Sequence, residues 1–221
     1  MKLIGSLKKM FFNKNLGSSQ RYTGFTLAEV LITLAIIGVV ASLTIPALIT
    51  KYEKEQTVVK LKKTYTTLLQ AVKTSEIENG PNKDWDWGTA GNSQSIKESF
   101  DTHWAPYLKI LKRCTSYTDC GYKESTPWAK ITSGENTSLA LVDAGTRTAV
   151  ILEDGIVFMV RRKIDDKSLH IDLNGHKPPN LLGIDYFELD LYPDKGLIFS
   201  DYYSKKIQQD GWQIKDNYPW K

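Results

Sequence analysis

No acidic residue occurs in the first 24 positions of this 221-residue chain, cysteine occurs twice and histidine three times. Those scarcities exclude several classes of chemistry. Cys114 and Cys120 have five residues between them, with no other thiol and no nearby histidine to complete a zinc set. His103, His170 and His176 are not at metal-ligand spacing. The chain has no glycine-rich phosphate loop of Walker or dinucleotide type. It shows no Ser-His-Asp or Cys-His pattern for nucleophilic catalysis. No internal repeat is evident, and nothing in the sequence supports an enzyme.

The distribution of charge is more telling than its sum. The formal net charge is +4, and Lys2, Lys8, Lys9, Lys14 and Arg21 all precede position 25. Without those five cations the balance moves from +4 to −1. The basic character therefore belongs to the N-terminal stretch, and it does not argue for nucleic-acid binding by the rest.

What is present in quantity is one apolar run, FTLAEVLITLAIIGVVASLTIPALI, from Phe25 to Ile49, interrupted by the single charge of Glu29. As a helix, 25 residues reach about 37 Å, enough to cross the hydrocarbon of a bilayer with some tilt. The run is apolar on every face, unlike a core helix, so a membrane span is predicted. An ordinary secretory signal peptide fits less well, because a long polar stretch, FFNKNLGSSQRYTG, precedes the run. Glu29 is either an edge charge that reaches the interface or a group that needs a positive partner in the membrane. Charge leaves the orientation open: Lys51, Lys54, Lys60, Lys62 and Lys63 after the run balance the five cations before it.

The junction Gly24-Phe25-Thr26-Leu27-Ala28-Glu29 resembles the cleavage and methylation signal of type IV prepilins and type II secretion pseudopilins. A basic polar leader, a glycine before the cut, an aromatic after it and a glutamate at the fifth mature position carry the resemblance, over roughly residues 8–75. It implies that a prepilin peptidase cuts after Gly24 on the cytoplasmic side and methylates the new amine of Phe25. It also implies a head outside the cytoplasm, anchored in the inner membrane, and a membrane assembly platform as partner. In such filaments the glutamate of one subunit is thought to neutralise the terminal amine of its neighbour, which would make Glu29 a registry residue. Pro46 would kink the helix, helped by Gly38. A bend or a melted turn is expected around Ser42, because proline lacks the donor and clashes with the carbonyl four residues back.

Beyond Ile49 the pattern is amphipathic. Val58, Leu61, Tyr65, Leu68, Leu69 and Val72 follow helical spacing, and Gly80-Pro81 ends the run. One long helix over about 26–78 is predicted. The expected organisation is a leader at 1–24, a transmembrane helix at 25–49, an amphipathic continuation at 50–79 and a globular head at 80–221. Residues 80–95 read as a loop in which Trp85 and Trp87 pack inward or present a ligand-facing patch. A second helix is expected over roughly 95–112, carrying Ile96, Phe100, Trp104, Leu108 and Leu111, with a bend at Pro106. Strands follow: SLALVD, then TAVILED and IVFMVRRK joined at Glu153-Asp154-Gly155, then SLHIDL, YFELDLY and LIFSDYY. Helix followed by meander predicts an α+β head, a long N-terminal helix packed on an antiparallel sheet as in pilins. Trp212, Ile214 and Trp220 are expected to close the sheet edge.

Two smaller expectations concern the head. If it lies outside the cytoplasm, Cys114 and Cys120 form a local disulfide; two separate thiols in a loop are the other reading. The turn cluster Asp172-Leu173-Asn174-Gly175, with Pro178-Pro179-Asn180, Gly183 and Asp185, looks like a segment of pseudopilin heads, some of which bind calcium. Asp172, Asn174 and Asp185 are the candidate ligands, although the spacing is not that of an EF-hand. The plainer reading is that Asp and Asn shape turns through their own backbone bonds. The expected function is that of a non-catalytic filament subunit, with membrane lipid and other pilin-like subunits as partners. A membrane-anchored binding module exposing Trp85 and Trp87 is the alternative.

Overall fold

The computed structural model of the protein describes residues 24–124, 126–130, 147–162 and 167–220. The leader and the expected strand SLALVD lie outside them. The chain divides into two compact units, Met1–Leu48 and Ile49–Lys221.

Helix α1 spans Leu27–Asn79, 53 residues, close to the predicted limits. Its first part has a window of mean hydropathy 2.4 with nothing buried, so this helix is long and apolar enough to cross a membrane. Leu27, Leu31, Ile36, Val40 and Leu43 are all exposed. The hydroxyls on this stretch are satisfied internally: Thr33 donates to Val30 O, Ser42 to Val39 O and Thr44 to Val40 O. Helical structure continues through Pro46 without a break, so the melted turn expected near Ser42 does not form. Gly80, at φ +83°, ends α1 in the left-handed conformation that glycine adopts without steric cost.

In the second unit, α1 buries Val58, Leu61, Leu68, Ala71 and Val72, a stripe at helical spacing. Tyr65 stacks on Phe199 at 5.0 Å and donates its hydroxyl to Leu197 O at 2.9 Å, which fixes the helix on the sheet. Helix α2, Ser93–His103, starts at Asn92, whose side chain accepts from the backbone N–H groups of Gln94 and Ser95. It is shorter than the predicted 95–112. Pro106 has no N–H and disfavours helix at the residue before it. The chain therefore leaves α2 at Trp104, makes a 3-10 turn over Ala105–Tyr107 and enters strand β1, Ile110–Cys114.

The remaining strands are β2 (Ala129–Lys130), β3 (Arg147–Leu152), β4 (Val157–Arg162), β5 (Lys167–Asp172), β6 (Leu181–Leu182), β7 (Tyr186–Tyr192) and β8 (Gly196–Phe199). Among the described residues they form one sheet in the order β1-β3-β4-β5-β7-β6-β2, with β8 paired to β7. The long pairs are antiparallel, and the short pairs β2–β6 and β6–β7 are parallel. The β3–β4 hairpin turns at the predicted Glu153-Asp154-Gly155, with Gly155 at φ +83°. The predicted strand LIFSDYY stops at Phe199. Asp201 then caps a helix that the pattern did not foretell, α3 (Tyr202–Gln209), by accepting from Ser204 N at 2.8 Å. The architecture is α+β and pilin-like.

One face of the sheet carries Val150, Phe158, Leu169, Ile171, Phe187 and Leu189 against α1 and α2. Trp85 and Trp87 are 6% and 8% exposed, so they belong to this core and offer no ligand-facing patch. Trp212, Ile214 and Trp220 pack on its margin. The other face carries Ala149, Val157, Met159 and Tyr186 beneath Tyr122, Trp128 and the cysteine loop.

Candidate functional site

The N-terminal junction is built from residues whose backbone roles differ sharply. Gly24, Phe25 and Thr26 precede the helix in non-helical chain, and Phe25 is 88% exposed. The Gly24–Phe25 bond therefore lies outside the helical hydrogen-bond ladder, where a protease can draw it out. No atom lies within 4 Å of a Cβ built on Gly24, so nothing of the described chain screens this side of the bond.

Thr26 is the N-cap of α1. Its Oγ1 accepts from Glu29 N at 3.3 Å, and Oε2 of Glu29 accepts from Thr26 N at 2.8 Å. This is a reciprocal capping box, the Thr-x-x-Glu arrangement that satisfies two of the donors a helix start leaves open. The hydroxyl hydrogen of Thr26 goes to the same Oε2, at 2.8 Å. Glu29 is thus held by its own chain at the first turn of an otherwise apolar helix. Sequence reading singled out Glu29 and passed over Thr26, although the Thr-x-x-Glu spacing was there to be read.

The other polar assembly lies on the second face of the sheet. Asp172, at the end of β5, is fully buried and accepts from the hydroxyl of Tyr122 at 2.7 Å and from the indole of Trp128 at 2.8 Å. Trp128 in turn stacks on Tyr186 at 4.5 Å. The Tyr186 hydroxyl is 2.7 Å from Nδ1 of His170, whose Nε2 is 2.9 Å from Ser168 Oγ. Antiparallel register sets Asp172 opposite Tyr186 and His170 opposite Glu188. Glu188 Oε1 is 3.7 Å from His170. Burial, helped by the nearby Arg147 and Arg161 guanidinium groups, holds His170 far below its ordinary range, so this contact is not an ion pair. Arg147 is buried as well, and desolvation lowers it to about 10.

Burial first, and then the Asp185 carboxylate, push Asp172 up to about 8. Asp185 is raised too, chiefly by burial. It accepts from Leu181 N at 2.6 Å and Asn180 N at 2.8 Å, clasping the turn before β7. Asn174 gives its amide hydrogen to Pro178 O at 3.2 Å. The structure thus brings Asp172, Asn174 and Asp185 into one turn cluster, but they do not fit a calcium ion as they stand. That ion takes six to eight oxygens, whereas chain donors already point at both carboxylates. The oxygens there without a partner, Oδ1 of Asn174 and of Asn180, do not make up the number. Among the described residues no group of three or more His, Cys, Asp or Glu is placed to hold a metal.

Cys114 and Cys120 are joined in a disulfide, with Cα atoms 5.3 Å apart. An ion pair between Lys112 and Asp119 braces the same loop, and Asp119 Oδ2 accepts from Thr115 N at 3.0 Å. These contacts hold the Asp119 carboxyl near 2.

Fold and junction together define a membrane-anchored, pilin-like chain with a prepilin-type start, and residues 19–45 match the prokaryotic N-terminal methylation motif. Residues 47–206 match a family of unknown function, DUF6613, and the chain belongs to that family. No curated protein and no solved structure matches the chain.

Proposed function

We propose that this protein is a structural subunit of a type IV pilus-like or type II secretion pseudopilus filament. The observation that carries the reading is the junction itself. An accessible, non-helical Gly24–Phe25 bond stands directly before an apolar helix whose only early charge is Glu29. A prepilin peptidase hydrolyses that amide, and a methyl donor supplies the group that the freed amine of Phe25 receives. Residues 25–49 then hold the subunit in the cytoplasmic membrane, with the head outside the cytoplasm. The Cys114–Cys120 disulfide supports that side, since such bonds persist in oxidising compartments.

Cleavage changes the electrostatics of assembly. It leaves an α-amino group, positive around neutral pH, beside hydrocarbon. In low dielectric that amine and the Glu29 carboxylate of an adjacent subunit attract strongly, and either one alone is costly. Pairing them sets the axial step between subunits of one kind, or of related pilin-like kinds, as an assembly platform draws them from the lipid.

Mass spectrometry of the mature N-terminus tests the reading. A chain beginning at N-methylated Phe25 is expected in cells that hold the peptidase. A cut near Ala47, or an intact leader in the presence of the peptidase, overturns it.

A further inference from the structure

Between the end of the apolar run and the start of the head core, α1 has a neck with no buried residue. Ile49 closes the run, and Val58 is the first residue of the helix to be buried. Of the residues between them, Lys51, Tyr52, Glu53, Glu55 and Gln56 are exposed, while Thr50, Lys54 and Thr57 are half-buried. Tyr52 leaves 61% of its surface open, which is a large apolar ring without cover. Among the described residues no ion pair engages Lys51, Glu53, Lys54 or Glu55.

Length and chemistry say what covers this neck. Residues 50–57 rise about 12 Å along the helix. The polar headgroup layer on one side of a bilayer is about 5–8 Å thick. A membrane whose hydrocarbon ends at Ile49 therefore lays its headgroups on this stretch. Tyrosine suits that depth, with its ring toward hydrocarbon and its hydroxyl in water. Lys51 and Lys54 can run their apolar stems along the helix and keep their ammonium groups among phosphates.

The charges of the neck cancel, Lys51 and Lys54 against Glu53 and Glu55. A neutral neck gains little from an anionic surface. It matches a headgroup that itself carries both signs, with a phosphate near the glycerol and a primary ammonium at the tip. The lysines meet the phosphate, and the two glutamates accept from the N–H donors of the ammonium. We infer that residues 51–55 are a phospholipid headgroup site, selective for zwitterionic lipids with a primary amine, in which Tyr52 is the interfacial anchor. This rests on the membrane span of residues 25–49 and does not depend on filament assembly.

The test uses the full chain in vesicles of phosphatidylethanolamine and phosphatidylglycerol in equal parts, with many copies to a vesicle. A photo-reactive benzophenone side chain is placed at Ile37, Tyr52 or Ile77, one position at a time. Ile37 lies within the apolar run, and Ile77, 84% exposed, lies on the same helix well beyond the neck. After illumination, mass spectrometry reads each adduct as lipid or as a second chain. Lipid adducts are expected at Ile37 and Tyr52, and none above background at Ile77. At Tyr52 the ethanolamine lipid should be the more abundant adduct. Glu53→Gln with Glu55→Gln leaves the neck two cations and no acid, and should move that ratio toward the anionic lipid by about fivefold or more.

Lipid adducts at Ile37 with none at Tyr52 overturn the headgroup site and leave the span standing. So do adducts at Tyr52 made mainly with a second copy of the chain, which mark the neck as a contact between subunits. A lipid ratio at Tyr52 that favours phosphatidylglycerol in the parent, or that the double substitution does not move, overturns the selectivity. The absence of lipid adducts at Ile37 removes the span, and the headgroup site with it.

Discussion

Trp128 donates its indole N–H to the buried carboxylate of Asp172 across 2.8 Å, and so ties the segment after the cysteine loop to the end of β5. Tyr122 makes the companion bond at 2.7 Å. One acid therefore pins the cover of the second sheet face, and the energetics of that acid govern how the cover responds to pH.

Asp172 has a folded-state value near 8, raised from 3.8 first by burial and then by Asp185. The native state keeps this proton where the unfolded chain has lost it, so the group stabilises at low pH and its contribution fades as pH rises through 8. His103 and His170 are both lowered, by burial first, and act in the opposite sense as pH falls below 6.5. The Asp119 carboxyl, near 2, matters only below 3.8. The window above the histidine range therefore reports on the buried acids, Asp172 and, in the same sense, Asp185. Thermal melts of the solubilised chain are expected to show a falling midpoint between about pH 6.5 and 8. Asp172→Asn should flatten that slope, and a flat profile in the parent would contradict the burial argument. A calcium ion on Asp172 and Asp185 would replace the proton and raise the midpoint at pH 8. Melts with EDTA and with added calcium are expected to coincide.

Gly183 sits at φ +92°, and a Cβ there would come within 2.5 Å of the Tyr203 ring. Its carbonyl also receives the hydroxyl of Tyr218. Gly183→Ala combines backbone strain with a clash against α3, and a loss of more than about 1 kcal/mol is expected. Gly196 is the internal comparison: it too has positive φ, but nothing lies within 4 Å of its Cβ position. Denaturant titration of both variants should rank Gly183→Ala as the more damaging, and equal losses would remove the steric part of the explanation.

The disulfide closes a short ring between the end of β1 and the cover of the second face. Opening it by the double substitution to serine frees that ring in the unfolded chain, at a cost of about 2 kcal/mol in the chain-entropy account. The midpoint of the double variant is expected to match that of the reduced parent. A parent indifferent to reductant would show that Lys112–Asp119 and the Asp172 bonds hold the loop unaided.

Much of the site was legible because its signals are local. Glu29 stands out as a lone charge in an apolar run, and glycine before an aromatic marks the junction. Thr26 was equally local, since a cap and its partner lie three residues apart. The core stripe of α1 and the β3–β4 hairpin follow from periodicity and a turn glycine. The end of α2 was misread because Leu108 and Leu111 continue a helical spacing that Pro106 and the start of β1 override. Helix α3 was hidden in an apparent strand, its start set by the Asp201 cap.

By itself, then, the sequence determined the apolar run, the prepilin-type motif, the long helix and the α+β class, since each depends on residues within a few positions of one another. Only the tertiary structure decided that Trp85 and Trp87 are core, that Cys114 bonds Cys120, and that Asp172 is claimed by Tyr122 and Trp128. Those outcomes rest on strand register and on the burial it creates. Register brings Asp172 opposite Tyr186 and turns a turn-forming acid into a desolvated anchor.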